Sequence, residues 1–318
     1  MQPERAMARL ITTRLAWMLD TMLSQKTLLG NFPLFVVHPW RCCQASVSRL
    51  REFHACPSGW FFCGSLTAID RWMLNSCRGW PMKLSMLVNP FTEQNLALAA
   101  QVGVEEVVLP YPGPGLQPLL AAKRLVEAAG MRLTTIERKI PHRRLVHRMP
   151  GYHEELAGFH ALLRQMADAG LRLACYNWMP GEDWQRTSRA AVARGGARAT
   201  AFSLAEVGTN VTDADGAPET VTSADRLWDN LKRFLDEVLP VAEASGVRLA
   251  IHPDDPPLTV FRGQPQIITS NQALRRVVDL APSPANGVCY CVGSLFPAGV
   301  DLLAGIRNLG PQIHFVHA

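Results

Sequence analysis

From position 82 onward the hydrophobic and polar residues fall into a repeating unit, in which a helical segment ends in small residues and a glycine and a short apolar, β-rich run follows at once. The unit reads AAQVG before Val104 to Leu109, VEAAG before Met131 to Ile136, MADAG before Leu171 to Tyr176, and AEASG before Val247 to His252. Two looser copies follow, SPANG before Val288 to Cys291 and RNLG before Ile313 to His317. Glycine just past a helix adopts the left-handed conformation cheaply, which lets the chain turn directly into a strand. Gly103, Gly130, Gly170, Gly246 and Gly310 read as that turn, and Gly287 as a turn from loop to strand. Thr92 and Ser223 stand where helix N-caps belong, the second ahead of a long amphipathic run through Trp228, Leu231 and Leu235 to Ala244.

Counting Lys83 to Val88 as the first, seven strands alternate with helices. Continuous apolar strands in such an alternation predict a parallel sheet covered by helices, either doubly wound or closed into a barrel. A barrel of eight needs one strand more, and the sequence stops at Ala318 directly after the seventh. The expectation is therefore an incomplete α/β domain over residues 82–318, its eighth strand missing. Residues 1–81 carry Cys42, Cys43, Cys56, Cys63 and Cys77 and five of the eight tryptophans without any sustained helix or strand period. They read as an N-terminal extension rather than a functional domain. Leu10 to Leu29 is loosely amphipathic and has a transit-peptide reading, against which a poorly organised extension with no targeting role is the preferred one.

Composition narrows the function classes. A hydrophobic share of 48% fills a sizeable core, which excludes disorder as an overall description. The formal charge of +5 suits an anionic partner, yet no long Lys/Arg run interleaved with aromatics is present. A small anionic substrate fits better than nucleic acid. No apolar run approaches the roughly 18 residues that span a bilayer. The eight cysteines contain no CxxC, so a zinc ribbon and a thioredoxin motif are both excluded and a reducing cytoplasmic setting is expected. Oligomeric state is open, a homo-oligomer being compatible with everything read so far.

Candidate chemistry collects at one edge. In α/β barrels the working groups project from the carboxyl ends of the strands. Strand four ends in Cys175-Tyr176-Asn177, strand five in His252-Pro253-Asp254-Asp255, strand six in Cys289-Tyr290-Cys291 and strand seven in His314-Phe315-Val316-His317. A lone His is more often a hydrogen-bonded structural residue and a lone buried Cys a small hydrophobe. Imidazole, thiolate and imidazole at three successive strand ends instead suit a divalent cation. His252, Cys291 and His317 are the candidate ligands, with Cys289 and His314 deeper, as core residues or supports. Arg186 offers a fork for a carboxylate, its competing role being a surface pair with Asp183 or Glu182. Asn177 and Trp184 are candidate pocket walls, with plain packing as the competing role of Trp184. Asp254 and Asp255 either hold substrate or ligands or cap the loop before Pro256-Pro257. The long stretch from Asn177 to Ser223, with Gly195-Gly196 and Asp213-Ala214-Asp215-Gly216, reads either as a lid or as an ordinary surface insertion.

Several words together resemble the mannonate dehydratase family: CYNWMP at Cys175 to Pro180, DWQRT at Asp183 to Thr187, HPDDPP at His252 to Pro257, SPANGVCYCVGS at Ser283 to Ser294 and HFVH at His314 to His317. The resemblance covers about residues 82–318. It implies a TIM (β/α)8-type barrel, removal of water from D-mannonate to give 2-dehydro-3-deoxy-D-gluconate in glucuronate catabolism, and a divalent ion, Mn2+ first and Fe2+ as another choice. It places metal ligands on His252, Cys291 and His317, and substrate contacts on Asn177, Trp184, Arg186, Asp254 and Asp255. The family's fourth ligand, an aspartate, and its proton-transfer residues have no counterpart up to Ala318, so the catalytic residues are not assigned. Two alternatives stand beside this reading: a metal-dependent sugar isomerase or epimerase on the same barrel, which more often presents carboxylates where Cys291 stands, and an inactive truncated fragment.

Overall fold

The structure is a computed structural model and describes residues 35–39, for which only the backbone is considered, together with 82–181, 186–207 and 221–318. Trp184, Asp183, Glu182, the Asp213 to Gly216 turn and the amphipathic Leu10 to Leu29 run lie outside the described residues.

Strands β1 (Phe35–Pro39), β2 (Met82–Leu87), β3 (Glu106–Leu109), β4 (Arg132–Glu137), β5 (Leu173–Tyr176), β8 (Arg248–Ile251), β11 (Val288–Cys291) and β12 (Ile313–His317) close into one barrel in the order β1-β12-β11-β8-β5-β4-β3-β2. From β2 to β12 the pairing is parallel throughout, on the seven runs that the alternation picked out. Helices α1 (Glu93–Gln101), α2 (Leu116–Ala128), α4 (Tyr152–Asp168), α5 (Ala224–Ser245), α6 (Asn271–Leu280) and α8 (Leu302–Leu309) connect them, with the short α3 (Arg143–His147) and α7 (Val292–Leu295) at strand ends. This is the TIM-type architecture expected from the sequence.

The eighth position is where structure and expectation differ. It is occupied by β1, antiparallel to both neighbours, with Phe35 to Pro39 opposite Met86 to Met82 and Val36 and Val37 opposite His317 and Val316. Seven parallel strands alone leave two open edges of unpaired N–H and C=O groups. A five-residue segment containing the apolar run Phe35-Val36-Val37 is long enough to pair with both.

Two hairpins stand on the carboxyl side: β6 (Ser188–Val192) with β7 (Arg198–Ala201) after β5, and β9 (Val260–Phe261) with β10 (Gln264–Pro265) after β8. Phe202 and Phe261 bring them together, ring centroids 6.0 Å apart. The stretch after β5 is thus a folded insertion at the mouth. His147 fastens both of its ends, one ring nitrogen on the Thr222 hydroxyl (2.7 Å) and the other on the Pro180 carbonyl (2.6 Å).

The caps sit where the sequence put them. Thr92 accepts from the Asn95 N–H (3.2 Å), and Ser223 accepts from the Arg226 N–H (3.4 Å). The five helix-to-strand glycines all have positive φ, from 48° to 85°. Gly287 does not: it leads from the loop into β11, as read from the sequence, with no left-handed backbone. A Cβ there would run into the His314 ring at Nδ1, Cγ and Cε1, so close approach, not backbone freedom, demands glycine.

Alternation along the strands separates two apolar layers. Ala174, Tyr176, Leu249, Ile251, Val288, Tyr290 and Val316 face the helices and join the main core. Val108, Leu173, Cys175, Ala250, Cys289 and Phe315 fill the barrel interior. His314 alternates with Phe315 and faces outward, its Nδ1 on the Leu249 carbonyl at 2.8 Å, so it supports the wall between β8 and β12 rather than the mouth.

Candidate metal centre

Strand ends deliver the candidate residues to one place. His252 follows β8 directly and extends the ladder through its N–H to the Tyr176 carbonyl (2.7 Å). Cys291 and His317 are the last residues of β11 and β12 and face each other in register. All three line a cavity of about 160 Å3 over the inner apolar layer, as do Asn177, Arg186 and Asp255.

Hydrogen bonding fixes how the two rings are aimed. His252 Nδ1 donates to the Pro253 carbonyl at 2.6 Å, which turns Nε2 inward. His317 Nε2 donates to Glu137 Oε2 at 3.2 Å, which turns Nδ1 inward. The inward nitrogens stand 3.2 Å apart. Two ring nitrogens whose remote partners are already engaged cannot face each other as two lone pairs; they need a shared proton or a cation between them.

The Cys291 thiol hydrogen-bonds with both rings and accepts from the Ser294 hydroxyl at 3.3 Å. Burial pushes this thiol up, but the His252 and His317 rings more than offset it and hold it well below its ordinary value. Burial pulls His252 down while the Cys291 thiolate lifts it, to about 9. In His317 burial is likewise outweighed by Glu137 and Cys291, and the ring is raised. Glu137 is lowered, since His317 overcomes the desolvation of its carboxyl. The two rings and the two acidic groups thus each favour the charged form of the other, an arrangement in which a divalent cation would compete with the proton shared between the rings.

Two thiols compete for the role of sulfur donor. The donor atoms of His252, Cys289 and His317 all lie within 4.8 Å of one another. Cys289, however, lies beneath the cavity, and burial together with its hydrogen bond to Cys175 raises its pKa well above the thiol range. Cys291 opens to the cavity, and the two rings hold its thiol low. Two imidazoles and such a thiol around one cavity suit a borderline divalent ion.

The remaining candidates divide. The Arg186 guanidinium grips Asp255 with two parallel bonds of 3.2 and 3.1 Å and ties the base of the β6–β7 insertion to the loop after β8. The Asn177 side chain accepts from the Met179 N–H (3.2 Å) at the rim. Asp254 turns away from the cavity. Its carboxylate accepts from the Ile268 N–H (2.8 Å), its backbone N–H donates to the Ile268 carbonyl (2.9 Å), and burial raises its carboxyl to about 6. It fastens the loop, the second of the two roles the sequence left open. Glu137 was not singled out by sequence: strand three was read to end at Ile136, and the rule of strand termini applied one residue further would have found it.

A parallel α/β barrel that gathers buried imidazole, thiolate and carboxylate groups at its carboxyl mouth has the architecture of a barrel enzyme. Comparison with known proteins makes the class specific. The family described as D-mannonate dehydratase (UxuA) matches residues 94–318. Mannonate dehydratase of Streptococcus equi subsp. zooepidemicus is 34% identical over 203 residues, 56% of this chain and 54% of that protein. Its counterpart in Chromohalobacter salexigens is 30% identical over 288 residues, 72% of this chain and 73% of that protein. The crystal structure of mannonate dehydratase from Streptococcus suis serotype2 superposes with a TM-score of 0.65 at 31% identity, covering 73% of this chain and 70% of that one. The chain belongs to the D-mannonate dehydratase family, and it spans about half the length of the S. equi relative.

Proposed function

We propose that this chain is a metal-assisted sugar-acid hydro-lyase that removes water from D-mannonate to give 2-dehydro-3-deoxy-D-gluconate. The observation that carries the reading is the pair of inward nitrogens, His252 Nε2 and His317 Nδ1, 3.2 Å apart beside the Cys291 thiolate in the mouth of a family-member barrel. His252, Cys291 and His317 would hold the ion. A bound divalent cation supplies Lewis acidity toward a carboxylate and its neighbouring hydroxyl, which stabilises negative charge developing next to the carboxylate. Manganese is the expected ion, supported by the family resemblance, and Fe2+ suits the same donors.

The chain's own residues supply orientation. Arg186 presents its guanidinium to the cavity with one edge held by Asp255, so an incoming carboxylate meets a donor whose direction is already fixed. Asn177 lines the same wall. The insertion that carries β6 and β7 is anchored beside the cavity at Arg186 and through His147. The thiolate at Cys291 argues against the carboxylate-rich isomerase or epimerase reading. A role in glucuronate catabolism in the cytoplasm follows from the same proposal, and the free thiols of Cys175, Cys289 and Cys291 suit a reducing compartment. No helix among the described residues is long and apolar enough to cross a membrane.

The test uses the full chain, purified, loaded with Mn2+ and assayed for keto acid from D-mannonate by mass spectrometry. Retained manganese with product formed supports the proposal. Manganese retained equally by the wild type and His252→Ala would refute the site, and loading without product would leave the inactive reading in its place.

A further inference from the structure

We infer that Glu137 is a positioning residue for the metal centre, holding His317 by its far nitrogen so that the near one is presented to the ion; this rests on the metal-site reading above. Glu137 is the final residue of β4, which stands opposite β12 in the strand order of the barrel. Its side chain crosses the mouth, and Oε2 meets His317 Nε2 at 3.2 Å. His317 then has one ring nitrogen on a carboxylate and the other 3.2 Å from His252 Nε2. A carboxylate behind a ligating imidazole does three things: it fixes the tautomer, locks the ring plane, and raises the basicity of the nitrogen that binds.

Two further observations support this assignment. Glu137 is buried, and burying a carboxylate is costly unless a specific partner repays it. The backbone directly after it is held in the left-handed region at two consecutive non-glycine residues, Arg138 (φ 70°) and Lys139 (φ 58°), with the Arg138 carbonyl accepting from the Tyr111 N–H at 3.0 Å. Such conformations persist where surrounding structure imposes them. Here they end β4 abruptly and keep Glu137 aimed across the mouth. A place among the ligands themselves is disfavoured, because Oε2 lies at the nitrogen of His317 turned away from His252.

The test is Co2+ binding to the full chain, followed by the visible absorption of cobalt and its thiolate charge-transfer band, for wild type, Glu137→Ala and Glu137→Gln. The expectation is a loss of affinity of about 10- to 100-fold for Glu137→Ala. Glu137→Gln, which keeps an acceptor for the Nε2 proton, recovers part of that loss. The spectrum at saturation keeps its shape in all three proteins, because the ligands are unchanged. A changed spectrum at saturation in Glu137→Ala makes Glu137 a ligand and overturns the proposal. So does unchanged affinity in both variants, including the case where only thermal stability falls. If the wild type itself takes up no cobalt, the metal-site reading falls, and this inference with it.

Discussion

Gly287→Ala tests whether the closest approach in the barrel wall is read correctly. An alanine at a compatible backbone angle ordinarily stabilises by about 0.4–1 kcal/mol, through the unfolded chain. Gly287 has no positive φ, so that gain is the default expectation. The structure predicts the opposite sign. The new methyl meets three atoms of the His314 ring, which is buried and held through Nδ1 on the Leu249 carbonyl at 2.8 Å. The backbone on the other side is equally held, since the Gly287 carbonyl accepts from the Ile251 N–H at 3.0 Å. Forcing the ring aside costs about 1–3 kcal/mol of overpacking, and about 1–3 kcal/mol more if the Leu249 bond is lost in a buried setting. The sum is roughly 2–6 kcal/mol, or about 4–24 °C in Tm for a domain of this size. Thermal and urea unfolding measure it. The control is the same substitution in a His314→Ala background, where the space is open: there Gly287→Ala costs less than about 0.5 kcal/mol, and the difference is a coupling energy. Equal costs in the two backgrounds, or a stabilised single variant, refute the reasoning.

Three further outcomes are expected. His314 is held neutral, its pKa pulled down to about 4 by burial and by the Arg248 charge against 6.5 when exposed. The unfolded chain therefore binds the extra proton below pH 6.5, and stability contributed by this residue is complete above that pH and lost on going down to about 4; relative to His314→Gln the wild type loses about 3 kcal/mol over the window, as pH-dependent urea unfolding would show, and parallel curves would exclude it. Arg186 and Asp255, both less than one-fifth exposed and bonded twice, show a coupling of about 1–2 kcal/mol in a cycle of Arg186→Ala and Asp255→Ala; additive losses would mean that the two act separately. Val36→Pro removes a ladder donor from the strand that closes the barrel and lowers Tm by several degrees, whereas an unchanged midpoint would mean that the parallel strands stand without β1.

The parallel strands were legible because each depends on local chemistry: a capped helix, a glycine past its end, and an apolar run buried on both faces. The convergence of His252, Cys291 and His317 on one cavity was legible for a related reason, since each stands at the end of such a run. What the sequence hid is non-local. Glu137 acquires its role only because β4 and β12 face each other across the mouth, a relation that no spacing encodes. Asp254 and Asp255 are adjacent and chemically identical, yet one is drawn under the loop by the Ile268 N–H and the other out to Arg186. The reason for glycine at 287 was hidden because the ring it makes room for is 27 residues further along. The antiparallel β1 was not read because the residues around it carry no sustained helix–strand alternation.

The contact between Glu137 and His317 joins positions 180 apart in sequence, and that between His252 and His317 positions 65 apart. Loop-closure entropy delays such contacts until most of the intervening chain is ordered. The centre therefore has no local precursor in a nascent or partly folded chain: before the barrel is complete, its imidazoles and thiol are separate and weak donors. Under the proposed metal reading, a cation would bind the closed barrel in preference to a partly folded chain, so its capture would add to the stability of the folded state.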